Sequence, residues 1–334
     1  MGDGEYNMDY QEAGVDLYEQ EVFNVKLQGK MPWLGGFAGA VDIGEDYLVS
    51  SCDGIGTKIQ LYLDNKDHPE VSIKNLGWDL VAMVFNDIVC TGAVPMFMND
   101  YLAVNNLKDA EFLDLIAGIN EGLAEIGVPC PLISGETALM PALMEKGKFD
   151  IAGFGVGAIK KELFIDGTNI KEGDWMIGLK SSGFHSNGYT LIRKVWQTQK
   201  YRATQEEADA LLPKLLTPTR IYASTILKLL SQHRSSVNGI AHITGGGRDN
   251  VLRLLGEDIN LRPQWDDNWE KPEEFDWIQK MGSISDQEMK RVFNDGIGMV
   301  LIVSENSAVE VIETLTALKE SPIICGKISS RLKQ

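Results

Sequence analysis

Cysteine is scarce in this 334-residue chain: Cys52, Cys90, Cys130 and Cys325 are far apart and form no CxxC pair. A zinc ribbon or a thioredoxin-type redox centre needs such pairs, so both readings are weakened. Each thiol lies in an apolar stretch, which predicts buried free thiols in a reducing compartment. Long apolar runs are also missing. No uncharged stretch approaches the roughly 20 residues that cross a bilayer, and the acidic, polar N-terminus lacks the basic-then-apolar layout of a signal peptide. The expectation is a cytoplasmic protein. Positive charge is in deficit, with 31 Lys and Arg against 48 Asp and Glu and a net charge of -17. This argues against non-specific nucleic-acid binding and against attraction to anionic membranes. A phosphorylated ligand would therefore need metal ions, a lysine, or backbone N–H groups at loops and helix starts. There is no serine nucleophile elbow and no HExxH. Gly155-Val156-Gly157 does not complete GxGxxG, and it reads as a glycine-bearing strand in a tight sheet.

The residues that are present suit a globular chain of about two domains: 44% are hydrophobic and 24% charged. Residues 1–30, rich in Glu, Asp and Tyr, read as an arm, and 31–44 as a glycine-rich entry with Gly35, Gly36 and Gly39. Strands are expected over 47–51, 95–104, 131–134, 150–159, 174–179, 241–244 and 299–303. Helices are expected over 76–91, 109–126, 218–230, 249–255 and 308–319, with another starting at Tyr189. This alternation predicts mixed sheets covered by helices, divided into a first domain over 31–165 and a second over 166–334.

Five segments carry groups suited to chemistry. In Asp53-Gly54-Ile55-Gly56-Thr57-Lys58 a carboxylate is followed by two glycines, a hydroxyl and an ammonium. That grouping suits a metal and phosphate, although it is not a Walker A loop and an ordinary hairpin turn reads the same way. On the 76–91 helix Asp79, Asn86 and Asp87 stand at i, i+7 and i+8, on one face of an otherwise apolar cylinder. Buried carboxylates are paired or bind metal, and Mg2+ favours such oxygens; the alternative is that Asp79 starts the helix and Asn86-Asp87 bonds to loops. Gly135-Glu136-Thr137 follows a strand end and reads either as a plain turn or as the place where Glu136 completes the cation site. His185-Ser186-Asn187-Gly188 lies at a strand-to-helix transition, where Ser186 or Asn187 caps the helix or its N–H groups take a phosphate, and His185 reads as an acid or base, a donor to phosphate, or a structural residue. His242-Ile243-Thr244-Gly245-Gly246-Gly247 is either an anion-binding loop or a flexible turn.

Taken in order, these segments resemble the phosphoribosylformylglycinamidine cyclo-ligases (aminoimidazole ribonucleotide synthetases). The match also takes in Ala13-Gly14-Val15-Asp16, Met140-Pro141, Thr217-Pro218-Thr219-Arg220-Ile221-Tyr222 and Phe293-Asn294-Asp295-Gly296-Ile297-Gly298-Met299. It departs at 18–21, at Ser51-Cys52, at Leu139 and Ala142, and after Gly247, where Arg248-Asp249 shortens the segment. The resemblance implies an α+β, two-domain subunit whose N-terminal domains pair into a β-barrel at a homodimer interface, with ATP nearby. It implies ATP-dependent conversion of formylglycinamidine ribonucleotide to aminoimidazole ribonucleotide in purine biosynthesis, with neither nucleic acid nor membrane as partner. On that basis ATP is expected at Asp53, Gly54, Gly56, Thr57, Lys58, Asp79, Asn86, Asp87, Gly135, Glu136 and Thr137. Mg2+ is expected on Asp53, Asp87 and Glu136, and the substrate at His185, Ser186, Asn187, Gly245 and Gly246. Lys58, His185 and Asp53 are the expected catalytic residues. A small-molecule kinase or phosphotransferase of the same architecture, and a nucleotide-sensing module without turnover, are the alternatives.

Overall fold

The structure is a computed structural model that describes residues 8–16, 19, 22–23, 26–27, 36–106, 111–256 and 260–330. Much of the expected arm, Gly35 and the first residues of the helix expected from 109 lie outside the described residues. The part of the arm over 8–16 docks on the second half of the chain: Met8 N donates to Gly282 O at 3.2 Å and Tyr10 N to Glu288 Oε1 at 2.9 Å.

Residues 39–160 build a mixed sheet of five strands, β1 (Gly39–Asp42), β2 (Asp46–Gly54), β3 (Val94–Val104), β4 (Leu132–Leu139) and β5 (Phe149–Lys160), in the order β1-β2-β5-β3-β4. Three helices accompany them: α1 (Lys58–Leu63), α2 (Lys74–Cys90) and α3 (Glu111–Glu125). β3 and β4 run parallel because α3 carries the chain back between them, and the other pairs are antiparallel. The apolar residues of α2 cover so much of its circumference that it is buried between this sheet, α3 and the second half of the molecule. Its seat on β5 is made of glycine. A Cβ at Gly153 or Gly155 would come within 2.4 Å of Met98 or Val84, and one at Gly157 within 2.8 Å of Ile88. Alternation puts these three glycines on one face, so the expected glycine-bearing strand is the surface on which α2 lies.

Residues 175–330 build an antiparallel sheet of β6 (Trp175–Lys180), β7 (Val237–His242), β8 (Leu261–Trp265), β9 (Ile297–Val303) and β10 (Ile323–Ser330), in the order β7-β9-β6-β10-β8. Every residue of β9 is buried, as expected for an uninterrupted apolar run. The helices of this half are α4 (Tyr189–Gln199), α5 (Gln205–Leu215), α6 (Ala223–His233), α7 (Glu273–Gly282), α8 (Asp286–Val292) and α9 (Ala308–Ala317). One apolar core runs from the first sheet through α2 into the second half.

Four local expectations are corrected. β2 continues to Gly54 and α1 begins at Lys58, so the supposed hairpin turn is a strand end and a helix start. The turn expected at Gly135-Glu136-Thr137 is the middle of β4. The helix expected from Pro218 begins at Ala223, because the backbone of 217–222 is claimed by side chains of α2. The segment over 249–255 forms 3-10 turns, from Gly247 to Leu254.

Candidate functional site at the seam between α2 and the second half

Asp79, Asn86 and Asp87 do share one face of α2, and each meets the second half of the chain. Asp79 Oδ1 accepts from Thr219 N at 2.6 Å and Thr219 Oγ1 at 2.7 Å, and from Lys58 Nζ at 2.9 Å. Asn86 Oδ1 accepts from Tyr222 N at 2.9 Å, while its Nδ2 donates to Arg220 O at 2.8 Å. Asp87 Oδ1 lies 2.8 Å from His242 Nδ1, and the other ring nitrogen of His242 is 3.4 Å from Asn86 Nδ2. That arrangement suits a His242 tautomer with its proton on Nδ1. His242 is fully buried at the end of β7, directly before the glycine loop.

Asp53, at the end of β2, faces the same region. Its carboxyl is pushed up to about 6, first by burial and next by the negative charge of Asp87, with Gly54 N–H, His242 and Arg253 acting in the opposite direction. A buried carboxyl that the charge of a second carboxylate makes costlier to ionise is a place where a divalent cation is welcome, since the cation relieves both the burial and the repulsion. The donors are hard oxygens, which fits Mg2+ with phosphates and water completing its shell.

The 183–188 turn approaches from the other side. His185 adopts φ 63°, in the left-handed region, and is buried. Its Nε2 accepts from Ser182 N at 3.2 Å, leaving Nδ1 without a hydrogen-bond partner among the described residues. Burial, then the charge His242 would carry if protonated and those of Lys58 and Arg220, hold its pKa well below the ordinary histidine value, so the ring is neutral. Ser186 Oγ is bonded to Thr219 Oγ1 at 2.8 Å. Asn187 is half-buried between Met83 of α2 and the glycine loop, where a Cβ on Gly245 would stand 3.5 Å from its Oδ1. Gly188 (φ 75°) opens α4, and a Cβ there would strike Phe293 at 2.2 Å. Gly246 takes φ 94° in the glycine loop.

Lys58 and Glu136 are not where the expectation put them. The Lys58 ammonium is fully buried, and its three donors go to Asp79 Oδ1, His185 O at 2.8 Å and Thr217 O at 2.7 Å. It stitches α1, the 183–188 turn and the 217–222 segment together, and no N–H is left over for a phosphate. Burial lowers its pKa, and the Asp79 charge pulls it back. Glu136 pairs with Tyr101, not with Asp100, so it emerges on the face of the sheet opposite Asp53. It is also three strand spacings from β2, roughly 14 Å. A metal site of Asp53, Asp87 and Glu136 therefore does not form within one chain. Among the described residues no group of three or more His, Cys, Asp and Glu is placed to hold a metal ion. Gly135 is needed in β4 because a Cβ there would sit 2.2 Å from Asp100 Oδ1. Thr137 is exposed on β4, Gly54 closes β2 and Gly56 turns at φ 54°. Thr57 Oγ1 lies 3.1 Å from Thr190 Oγ1.

The residue that the sequence argument passed over is His242. Its signal was present, a histidine at a strand end directly before a glycine loop, but only the fold shows that it touches Asp87.

A two-domain α+β molecule with its acidic pair and glycine loops on an inter-sheet seam defines the class. The family model for the AIR synthase related protein N-terminal domain matches residues 35–159, and that for the C-terminal domain matches 171–333. The phosphoribosylformylglycinamidine cyclo-ligase of Bordetella avium is 40% identical over 96% of this chain and 93% of its own length. The chloroplastic/mitochondrial one of Vigna unguiculata is 39% identical over 94% and 79%. The chain belongs to the AIR synthase related family and, at this identity, stands among relatives named phosphoribosylformylglycinamidine cyclo-ligase. Solved structures with the same fold include a chain of the HypE–HypF complex (TM-score 0.65, 16% identity, 93% of both chains covered). Another is AaThiL complexed with AMPPCP and TMP (TM-score 0.64, 13% identity, 98% and 94% covered). A third is Thermotoga maritima PurL complexed with ATP (TM-score 0.59, 14% identity, 95% and 49% covered). At such identities the likeness is one of fold alone.

Proposed function

We propose that this chain is an ATP-dependent cyclo-ligase that converts formylglycinamidine ribonucleotide to aminoimidazole ribonucleotide. The observation that carries the reading is the Asp53–Asp87 pair, braced by His242 and set against two glycine-bearing loops, in a chain about 40% identical to named cyclo-ligases over nearly its full length. Asp53 and Asp87 would hold Mg2+, which supplies charge neutralisation for the nucleotide phosphates. His242 fixes the rotamer of Asp87. Asn86 and Asp79 anchor the 217–222 segment, and Lys58 anchors the 183–188 turn, so these three act as positioning residues. His185, with its unspent Nδ1–H, Ser186, Asn187 and the backbone of Gly245 and Gly246 are assigned to the substrate.

The chemistry follows from leaving-group ability. An amide oxygen departs poorly. The γ-phosphoryl group of ATP passes to that oxygen, giving ADP and an iminophosphate. The substrate's own amine nitrogen then attacks the activated carbon and phosphate leaves, helped by intramolecular proximity. Purified protein given formylglycinamidine ribonucleotide, ATP and Mg2+ is expected to release ADP and aminoimidazole product in equal amounts. Asp87→Asn should cut kcat by about 100-fold or more with the fold intact; near-wild-type turnover would remove Asp87 from the metal site. A stable phosphorylated product without ring closure would give the protein to the kinase reading.

We place the protein in the cytoplasm, consistent with free cysteines and with the absence among the described residues of any helix long and apolar enough to cross a membrane. We also assign the uncovered face of the first sheet to a second copy of the chain, giving a homodimer closed by a β-barrel. What supports this is that Val41, Leu48, Phe154 and Tyr101 are exposed there, on the face away from α2.

A further inference from the structure

The glycine loop is not held by its own backbone alone. Arg248, the residue directly after it, donates from Nε to Asp295 Oδ2 at 3.0 Å, from Nη2 to the same oxygen, and from Nη1 to Asp267 Oδ1 at 2.5 Å. Its guanidinium lies 5.1 Å and 4.8 Å from the ring centroids of Trp265 and Trp269. Asp295 is 1% exposed and takes a left-handed backbone, φ 55°. Its second carboxylate oxygen is paired with Lys271, and its carbonyl accepts from Trp269 Nε1 at 2.9 Å. A buried charge on a strained residue persists only where its surroundings hold it there. The neighbouring Asn294 continues the connection: Nδ2 donates to Gly183 O at 2.8 Å, and Ser181 N donates to Gly296 O at 2.9 Å. Gly247 lies against α8 so closely that a Cβ would stand 2.0 Å from Lys290 O.

We propose that the Arg248–Asp295 pair is a clamp that locks the glycine loop to the 294–296 turn, and through it to the 181–188 turn, so that the two loops assigned to the substrate form one rigid body. Arg248 and Asp295 are thus positioning residues, and neither needs to touch a ligand. The substrate assignment rests on the cyclo-ligase reading; the mechanical coupling rests on the geometry alone. Asn250 reaches Gly245 O at 3.2 Å and Gly247 O at 2.8 Å and shapes the loop internally, whereas the Arg248 side chain bridges from the loop to Asp295.

The test compares Arg248→Leu, Asp295→Asn and the double variant with the wild type by steady-state kinetics and amide hydrogen exchange. Each single variant removes one partner from a buried charge, leaving Asp295 with Lys271 alone or Arg248 with Asp267 alone, and should lose stability, whereas the double variant should recover part of it. In all three the KM for formylglycinamidine ribonucleotide is expected to rise by about tenfold or more while the KM for ATP stays put. Exchange at amides 244–248 should accelerate. A double variant that regains wild-type KM along with stability would overturn the clamp, as would equal shifts in both KM values or unchanged exchange. If the wild type forms no imidazole product, the cyclo-ligase reading fails, and the exchange arm still decides whether the loops are coupled.

Discussion

At Asp53 a carboxyl with an ordinary pKa of 3.8 is held at about 6 by burial and by Asp87. The sign of the consequence follows from linkage. Below about pH 3 the group is mostly protonated in both folded and unfolded chains and adds little. As pH rises the unfolded chain releases the proton first, so folding is penalised progressively up to about pH 6 and constantly above it. The full penalty is on the order of 3 kcal/mol. Asp53→Asn in the metal-free protein should therefore raise Tm at pH 8 and leave it nearly unchanged at about pH 3, as read by thermal melts across pH. Adding Mg2+ and a nucleotide should remove most of the wild-type penalty at pH 8. A flat difference between variant and wild type across that range would show that Asp53 ionises normally. The sequence already displayed the carboxylates at Asp53 and Asp87, because spacing on a helix fixes which face Asp87 occupies. It did not display the fate of Lys58. An ammonium beside two glycines suits a phosphate equally well, and only the fold shows its donors taken by Asp79, His185 O and Thr217 O.

Elements were legible where one periodicity ruled them. α2 and β9 were readable because burial on all sides leaves an unbroken apolar signal. The first turn expected of α6 was not, since Thr219 and Tyr222 give their N–H groups to Asp79 and Asn86, residues 140 and 136 positions away. β4 was truncated in the sequence reading because Gly135 there signals a turn, when its actual cause is the carboxylate of Asp100. Glycine has another long-range cause where α2 meets α3. A Cβ on Gly118 would lie 2.1 Å from Lys74 O, and one on Gly77 2.2 Å from Leu115 O. The helices cross backbone to backbone at this pair. Alanine favours an isolated helix over glycine by about 1 kcal/mol, yet Gly118→Ala should destabilise the protein by about 2–3 kcal/mol, because α3 must move off α2. Urea unfolding measures the difference, and a stabilised Gly118→Ala variant would show that the helices have room to part.

For the molecule as a whole, the first sheet presents the larger question. Its inner face is filled by α2, but its outer face carries Leu48 and Cys52 of β2 opposite Ala158 and Phe154 of β5, with Tyr101 beyond them. An apolar sheet face left to water invites association. A twofold contact would apply the same patch to itself, which is the commonest way for a soluble chain to cover such a surface. The face is continuous with Glu136, so association would also bring that carboxylate to the interface, where no single chain gives it a partner in the acidic pair. The expected result is that wild-type protein sediments at twice the chain mass at micromolar concentration. Leu48→Lys combined with Phe154→Lys puts two like charges on adjacent strands of the patch. It should shift the species to a single chain mass while far-ultraviolet circular dichroism stays unchanged, because neither side chain enters the core. A wild type that sediments as a monomer at every concentration tested would leave the face uncovered and remove both the barrel and any role for Glu136 at the interface.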